Sequence, residues 1–288
     1  MQTIRQFRMG FKQDWENSPP TGFNRSRAIS EFRQHLFENW KRGEGPCNNC
    51  PNHIKKEKCF PAFGLGNSDA EIMIIGNSPG PRVRELEVDN KNRQIDPERL
   101  KKQPDFDGFP LASFYNDNIE DINTWTGFGT VRKRFIEDTS GLNTVLGDNR
   151  IYFTNAKKCA NIDSGKNEKA VTKCSSYLQK EIEIVNPSVI ITWGLQAAKG
   201  AAQSLNYDLS NLPSNSMSLP RGDRQPTKSV IGFRETEDSH PDFITMPHWG
   251  MLGTNARHIP KFNVEDHDKP ETYLYYQLAD LVKHLINK

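Results

Sequence analysis

No stretch of the 288 residues is apolar without interruption over a membrane-spanning length, so no transmembrane helix is expected. The segment from Met1 to Lys12 sets Arg5, Arg8 and Lys12 among its apolar residues and has no apolar h-region. No secretory signal is read there, and a cytoplasmic protein is expected. Cysteine is scarce. Five cysteines in a reducing compartment do not make a disulfide framework, which leaves metal ligation, redox chemistry or plain burial to explain them. An excess of one charge is missing too. The 38 Lys and Arg against 36 Asp and Glu leave a net charge of +2, too small by itself to demand a nucleic-acid partner. No internal repeat is present.

Hydrophobic residues make up 35% and charged residues 26%, with a mean hydropathy of −0.75, so a polar surface and long loops are expected. Basic clusters occur at Lys41-Arg42, Lys55-Lys56, Lys101-Lys102, Arg132-Lys133-Arg134 and Lys157-Lys158. Acidic residues gather at Glu235, Glu237, Asp238, Glu265, Asp266 and Asp268. Each cluster reads most simply as a solvated face.

Ile29, Phe32, Leu36, Phe37 and Trp40 recur at helical intervals after the breaker Pro19-Pro20, predicting an amphipathic helix. Short strands are predicted at Glu71–Ile75, Ile151–Thr154, Val189–Trp193 and Phe243–Met246, and helices at Val131–Asp138, Val171–Val185, Leu195 to about Ser204 and Glu271–Ile286. Strands alternating with helices predict an α/β fold: a three-layer α/β/α sandwich around a central, mostly parallel four-stranded sheet. A single domain spanning 1–288 is expected, with an N-terminal helical extension to about residue 45 and a charged, irregular insertion over about 81–124.

Cys47 and Cys50 form a C-x2-C pair, and Cys159 and Cys174 a second pair far along the chain. Two such pairs can place four soft thiolates around one centre, which suits zinc or an iron–sulfur cluster. Spacing alone does not separate the two, and Cys59 is left over.

The run Cys47-Asn48-Asn49-Cys50-Pro51, then Phe63-Gly64-Leu65-Gly66, then Ala70 through Ile75 into Gly76-Asn77-Ser78-Pro79-Gly80 resembles the opening of the iron–sulfur (family 4) uracil-DNA glycosylases. A second block, Ile151-Tyr152-Phe153-Thr154-Asn155-Ala156-Lys157-Lys158-Cys159, resembles that family's strand ending in Thr-Asn-x-x-Lys-Cys. Cys174, Tyr177-Leu178, Asn186-Pro187 and Val189 through Gly194 follow in the family's order. The likeness is good over about 47–80 and 127–205 and weaker elsewhere. It implies a [4Fe–4S] cluster on Cys47, Cys50, Cys159 and Cys174, with a structural role. It also implies a DNA glycosylase acting on DNA through a flipped pyrimidine. A monofunctional enzyme is expected, since no Lys is evidently placed as a Schiff-base nucleophile, and so is a monomer with no membrane partner.

Breaking an N-glycosidic bond needs donors aimed at the departing base, a reader for its edge, an aromatic platform and a positioned water. By the resemblance, Gly76, Pro79 and Gly80 belong to the loop that offers backbone N–H groups, and Asn77 and Ser78 orient water. Asn155 reads the Watson–Crick edge, since an amide both donates and accepts. His248, following a predicted strand, is preferred over His240 of the His240-Pro241 dipeptide as donor to the leaving base. Met251 and Leu252 are candidate wedges into the duplex. Trp125 or Phe128 is the candidate platform, with Phe109 and Phe114 as further possibilities.

The chain departs from the family where the chemistry is densest. Asn77 stands where the family carries Glu, and Ser78 where the classical uracil enzymes carry a water-activating Asp. Trp249 replaces the usual Pro, and the 81–124 insertion, with Asp105 and Asp107, has no counterpart. These changes open the choice of base to uracil or a hypermodified cytosine such as glucosylated hydroxymethylcytosine, in base-excision repair or anti-phage defence. No His lies between Pro81 and Pro104 to support covalent trapping. The competing classes are a catalytically weakened iron–sulfur nucleic-acid-binding protein on the same scaffold and an unrelated zinc-stabilised module.

Overall fold

The computed structural model describes residues 24–51, 61, 64–78, 150–159, 168–210, 232–234, 241–246, 278 and 281–286. The first helix, α1 (Arg25–Arg42), begins where Asn24 accepts a bond from the Arg27 backbone N–H at 2.9 Å. It ends at Gly43, whose φ of 70° few other residues adopt. Ala28, Ile29, Phe32, Leu36 and Phe37 form its buried stripe. A 3-10 turn at Gly45–Cys47 follows.

The sheet has six strands in the order β1-β3-β2-β4-β6-β5: β1 (Leu65–Gly66), β2 (Ile72–Gly76), β3 (Ile151–Asn155), β4 (Val189–Trp193), β5 (Gly232–Arg234) and β6 (Asp242–Met246). The four inner strands are parallel, as expected, while β1 and β5 add short antiparallel edges where no strand is predicted. Every residue of β2 and β4 is buried, the signature of a parallel sheet covered on both faces. Helices α2 (Glu168–Val185) and α3 (Leu195–Leu205) pack on each other beside it, in one hydrophobic cluster with α1. Leu278, Val282 and Leu285, from the C-terminal helical stretch, are buried outside that cluster. No helix among the described residues is long and apolar enough to cross a membrane.

Chain order sets where a cleft can open. From β2 the chain goes to β3 on one side, then crosses back to β4 on the other, so the strand order reverses at β2. In open α/β sheets ligands bind outside the C-terminal strand ends at that reversal. The loop starting at Asn77 leaves from there.

Candidate active site and cysteine nest

Gly76 pairs with Asn155 in register at the ends of β2 and β3. The ladder then continues past both strands: Ala156 N–H donates to the Gly76 carbonyl at 2.8 Å and Lys157 N–H to the Asn77 carbonyl at 3.0 Å. The two loops that the sequence pointed to therefore leave the sheet zipped together. Asn155 is the last residue of β3, inside the strand by one position from where the sequence put it, and only 9% exposed.

Glycine at position 76 is what lets the amide sit there. A Cβ on Gly76 would stand 2.7 Å from Asn155 Oδ1 and 3.2 Å from Phe153 Cζ. Strand alternation puts Phe153 and Asn155 on one face, and the half-buried Phe153 ring leans on Trp193 with centroids 5.7 Å apart. This aromatic floor beside Asn155 has no signal of its own in the sequence, where an aromatic within an apolar strand looks like any core residue. Asn77 and Ser78 are half-buried, and Oδ1 of Asn77 is sealed from solvent with no hydrogen-bond donor among the described residues. A buried acceptor without a donor carries a desolvation penalty, so such an atom marks a place where a guest can donate.

At the same edge, Trp193 and Met246 end β4 and β6 in register, and Gly194 N–H donates to the Met246 carbonyl at 2.7 Å. Pro241, next to His240, lies at the other end of β6, where its carbonyl accepts from Tyr207 Oη at 3.0 Å. Pro79, Gly80, Trp125, Phe128, His248, Met251 and Leu252 lie outside the described residues, as do Cys59, His240, Phe109, Phe114, Asp105 and Asp107.

The four cysteines expected as ligands are described, and none is in a disulfide. Cys47 closes the 3-10 turn, and Cys50 N–H bonds back to its carbonyl at 3.1 Å. Cys47 Sγ lies 3.7 Å from the hydroxyl of Tyr177, one turn beyond Cys174 on the buried face of α2. The chain returns at Pro61, which bridges to Cys159. Burial pushes the Cys47 thiol up to about 11, with Tyr177 opposing and the charges of Cys174 and Cys50 adding to the rise. Burial also raises Cys174, against which a hydrogen bond from the Lys158 backbone acts. Among the described residues no group of three or more Cys, His, Asp and Glu side chains is drawn together tightly enough to hold a single metal ion. Cys47, Cys50 and Cys174 nevertheless lie near enough to feel one another's charge, and an all-thiol donor set fits a soft centre such as zinc or an iron–sulfur cluster.

One expectation fails outright. Lys157-Lys158 is no solvated face: both side chains are buried. Lys158 Nζ donates to Thr154 Oγ1 at 2.7 Å and ion-pairs with Glu181, a carboxylate on α2 with no exposure at all. Glu181 also accepts from Tyr152 Oη at 2.8 Å and Thr154 Oγ1 at 2.6 Å. Burial, then the Glu181 charge, raises the Tyr152 phenol well above its usual value.

A profile described as the uracil DNA glycosylase superfamily matches residues 63–263, well over half of the chain. Curated relatives agree with it. A type-4 uracil-DNA glycosylase of Saccharolobus solfataricus is 25% identical over 169 residues, 58% of this chain and 59% of that protein. One of Archaeoglobus fulgidus is 26% identical over 156 residues, 53% of this chain and 57% of that protein. One of Sulfurisphaera tokodaii is 24% identical over 152 residues, 52% of this chain and 51% of that protein. The chain thus spans between 51% and 59% of the length of these relatives.

Proposed function

Because the chain belongs to the uracil DNA glycosylase superfamily, we propose that it is a DNA glycosylase, hydrolysing the N-glycosidic bond of a flipped-out, non-standard pyrimidine to leave an abasic site. The observation that carries this reading is the zipping of the two strand-end loops at the sheet's reversal point, with the Asn155 amide set against Gly76 and the Asn77 acceptor without a donor among the described residues. A flipped base entering there meets an amide that reads its edge and an aromatic floor under it.

The bond breaks with positive charge on the sugar and negative charge on the base, so donors aimed at the base do most of the work. Backbone N–H groups of the loop from Gly76 to Gly80, in which Pro79 has none to give, and the imidazole of His248, fill that role. Asn77 and Ser78 hold the water. Trp125 or Phe128 stacks on the base, and Met251 and Leu252 wedge into the duplex. Glu181 does not activate water, because its oxygens are taken by Tyr152, Thr154 and Lys158 on the face of β3 opposite Asn155. Lys158 is committed to the same carboxylate, which suits attack by water over Schiff-base chemistry.

Cys47, Cys50, Cys159 and Cys174 would hold a [4Fe–4S] cluster, which when bound cross-links the N-terminal turn, the end of β3 and α2. Two substrates remain in play. Uracil follows from the activity of the type-4 relatives. A hypermodified cytosine is favoured by the departures around the base pocket, Asn77 and Trp249 in place of the family's Glu and Pro and the 81–124 insertion, whereas the Asn77 carbonyl oxygen can accept equally from the N3–H of uracil or from an exocyclic amino group. Mass spectrometry of the bases released from uracil-containing DNA and from phage DNA with modified cytosines separates the two. DNA binding without release of any base would refute the glycosylase reading in favour of a binding protein on the same scaffold.

A further inference from the structure

A buried ion pair is a costly object, since both ions lose their water, and apolar replacements of similar volume are often no less stable. The Lys158–Glu181 pair therefore calls for a reason beyond stability. Its position supplies one. Lys158 Nζ reaches back four residues to Thr154 Oγ1 at 2.7 Å, while that hydroxyl donates to Glu181 at 2.6 Å and Glu181 accepts from Lys158. The three groups close a triangle whose base is α2 and whose sides are the two ends of the segment 154–158. Asn155 lies inside that segment.

The segment is held from both sides. Main-chain bonds from Ala156 and Lys157 fasten it to the Gly76 and Asn77 carbonyls, and the triangle fastens it to α2. Solvent is shut out on the remaining side: a Cβ on Gly64 would fall 2.2 Å from Tyr152 Oη and 2.4 Å from Glu181 Oε1, so bare backbone caps the network. Arg33 of α1 donates to the Gly64 carbonyl at 3.0 Å and holds that cap down. Lys158 also gives its backbone N–H to Cys174, so one residue touches the triangle, the cysteine nest and the base-reading loop.

We propose that Thr154, Lys158 and Glu181 form a positioning clamp that sets the Asn155 amide for base recognition. The proposal rests on Asn155 as the base reader. Thr154 is the member to perturb, because Val copies its shape without the hydroxyl and Ser restores the hydroxyl without the methyl.

The test compares the full-length T154V and T154S proteins with the unaltered chain by single-turnover excision, DNA affinity, iron content and amide hydrogen exchange. T154V should excise about 10- to 100-fold more slowly, the scale of an ångström misplacement, with affinity and iron content held. Its Ala156 and Lys157 amides should exchange about tenfold faster while Ile190 and Ile191 in β4 stay protected, because the loosening is local. T154S should behave like the unaltered protein. If T154V fails to fold, the double variant K158M/E181Q, which removes the charge pair as a unit, carries the same expectations. Unchanged protection at 156 and 157 overturns the clamp. So does protection lost evenly across the sheet, or T154S failing alongside T154V. If the unaltered protein releases no base, the exchange measurements still decide the clamp, and only the glycosylase reading falls.

Discussion

Replacing Gly76 by Ala tests whether the two strand-end loops make one pocket. The new methyl would stand 2.7 Å from Asn155 Oδ1, roughly 0.8 Å short of the ~3.5 Å at which non-bonded heavy atoms rest. Phe153 Cζ at 3.2 Å blocks the adjoining direction, and Asn155 is 9% exposed, so the amide has little room in which to retreat without leaving its place. A reading group displaced by about 1 Å costs on the order of 10²-fold in rate. Overpacking costs about 1–3 kcal/mol, and in a chain of this size each kcal/mol lowers Tm by roughly 2–4 °C. DNA affinity, which comes mainly from phosphate contacts, should hardly change. The assay is single-turnover excision from a labelled oligonucleotide read by alkaline cleavage, with affinity from fluorescence anisotropy. Because the methyl acts through the amide, Gly76→Ala added to Asn155→Ala should slow excision no further than Asn155→Ala alone. Full additivity of the two, or an unimpaired Gly76→Ala protein, would refute the pocket as drawn.

Replacing Cys47, Cys50, Cys159 or Cys174 by Ala should lower iron per protein, while Cys59→Ala should not. The reverse pattern for Cys59 and Cys174 sinks the ligand assignment. His248→Ala should slow excision by about 10²–10³-fold, as expected for loss of one preorganised donor, and His240→Ala by much less; an opposite ranking would place the leaving-group donor before β6. Burial, joined by neighbouring thiols, raises Cys47 from 9.0 to about 11. A raised folded-state value means that folding favours the protonated thiol, so metal-free protein should be most stable below about pH 9 and lose stability as pH climbs towards 11. Loaded protein, its thiolates already deprotonated, should lack that loss. Urea melts of both forms across this range check it, and a flat metal-free profile contradicts it.

The strands were legible because buried parallel strands read as unbroken apolar runs. Val189–Trp193 falls where expected, Ile151–Asn155 and Asp242–Met246 are each one residue longer at one end, and Ile72–Gly76 is shifted by one residue at both. Leu65–Gly66 and Gly232–Arg234 were invisible for the opposite reason: edge strands this short carry no period, and both contain glycine. Assigning Gly76 and Asn155 to one crevice rested on the resemblance, whereas their pairing and the Phe153 and Trp193 floor needed the register between strands. Lys157-Lys158 misled because charge in a sequence reads as exposure. Only Glu181, on another element, shows why that segment can be buried, and nothing in its own sequence announces it.

The contact between Cys47 and Tyr177 joins residues 130 positions apart, and it bears on the order of events during synthesis. Closing a loop of that length costs on the order of 4 kcal/mol of chain entropy, so it forms only after nearer contacts have shortened the search. A ribosome adding roughly 5–20 residues per second needs on the order of 10 s to deliver α2 after the first cysteine pair has emerged. For that interval Cys47 and Cys50 have neither the burial nor the partners that later guard them. The nascent chain is then more open to thiol oxidation than the finished protein, and rescue of yield by a reducing environment should depend on its being present during translation.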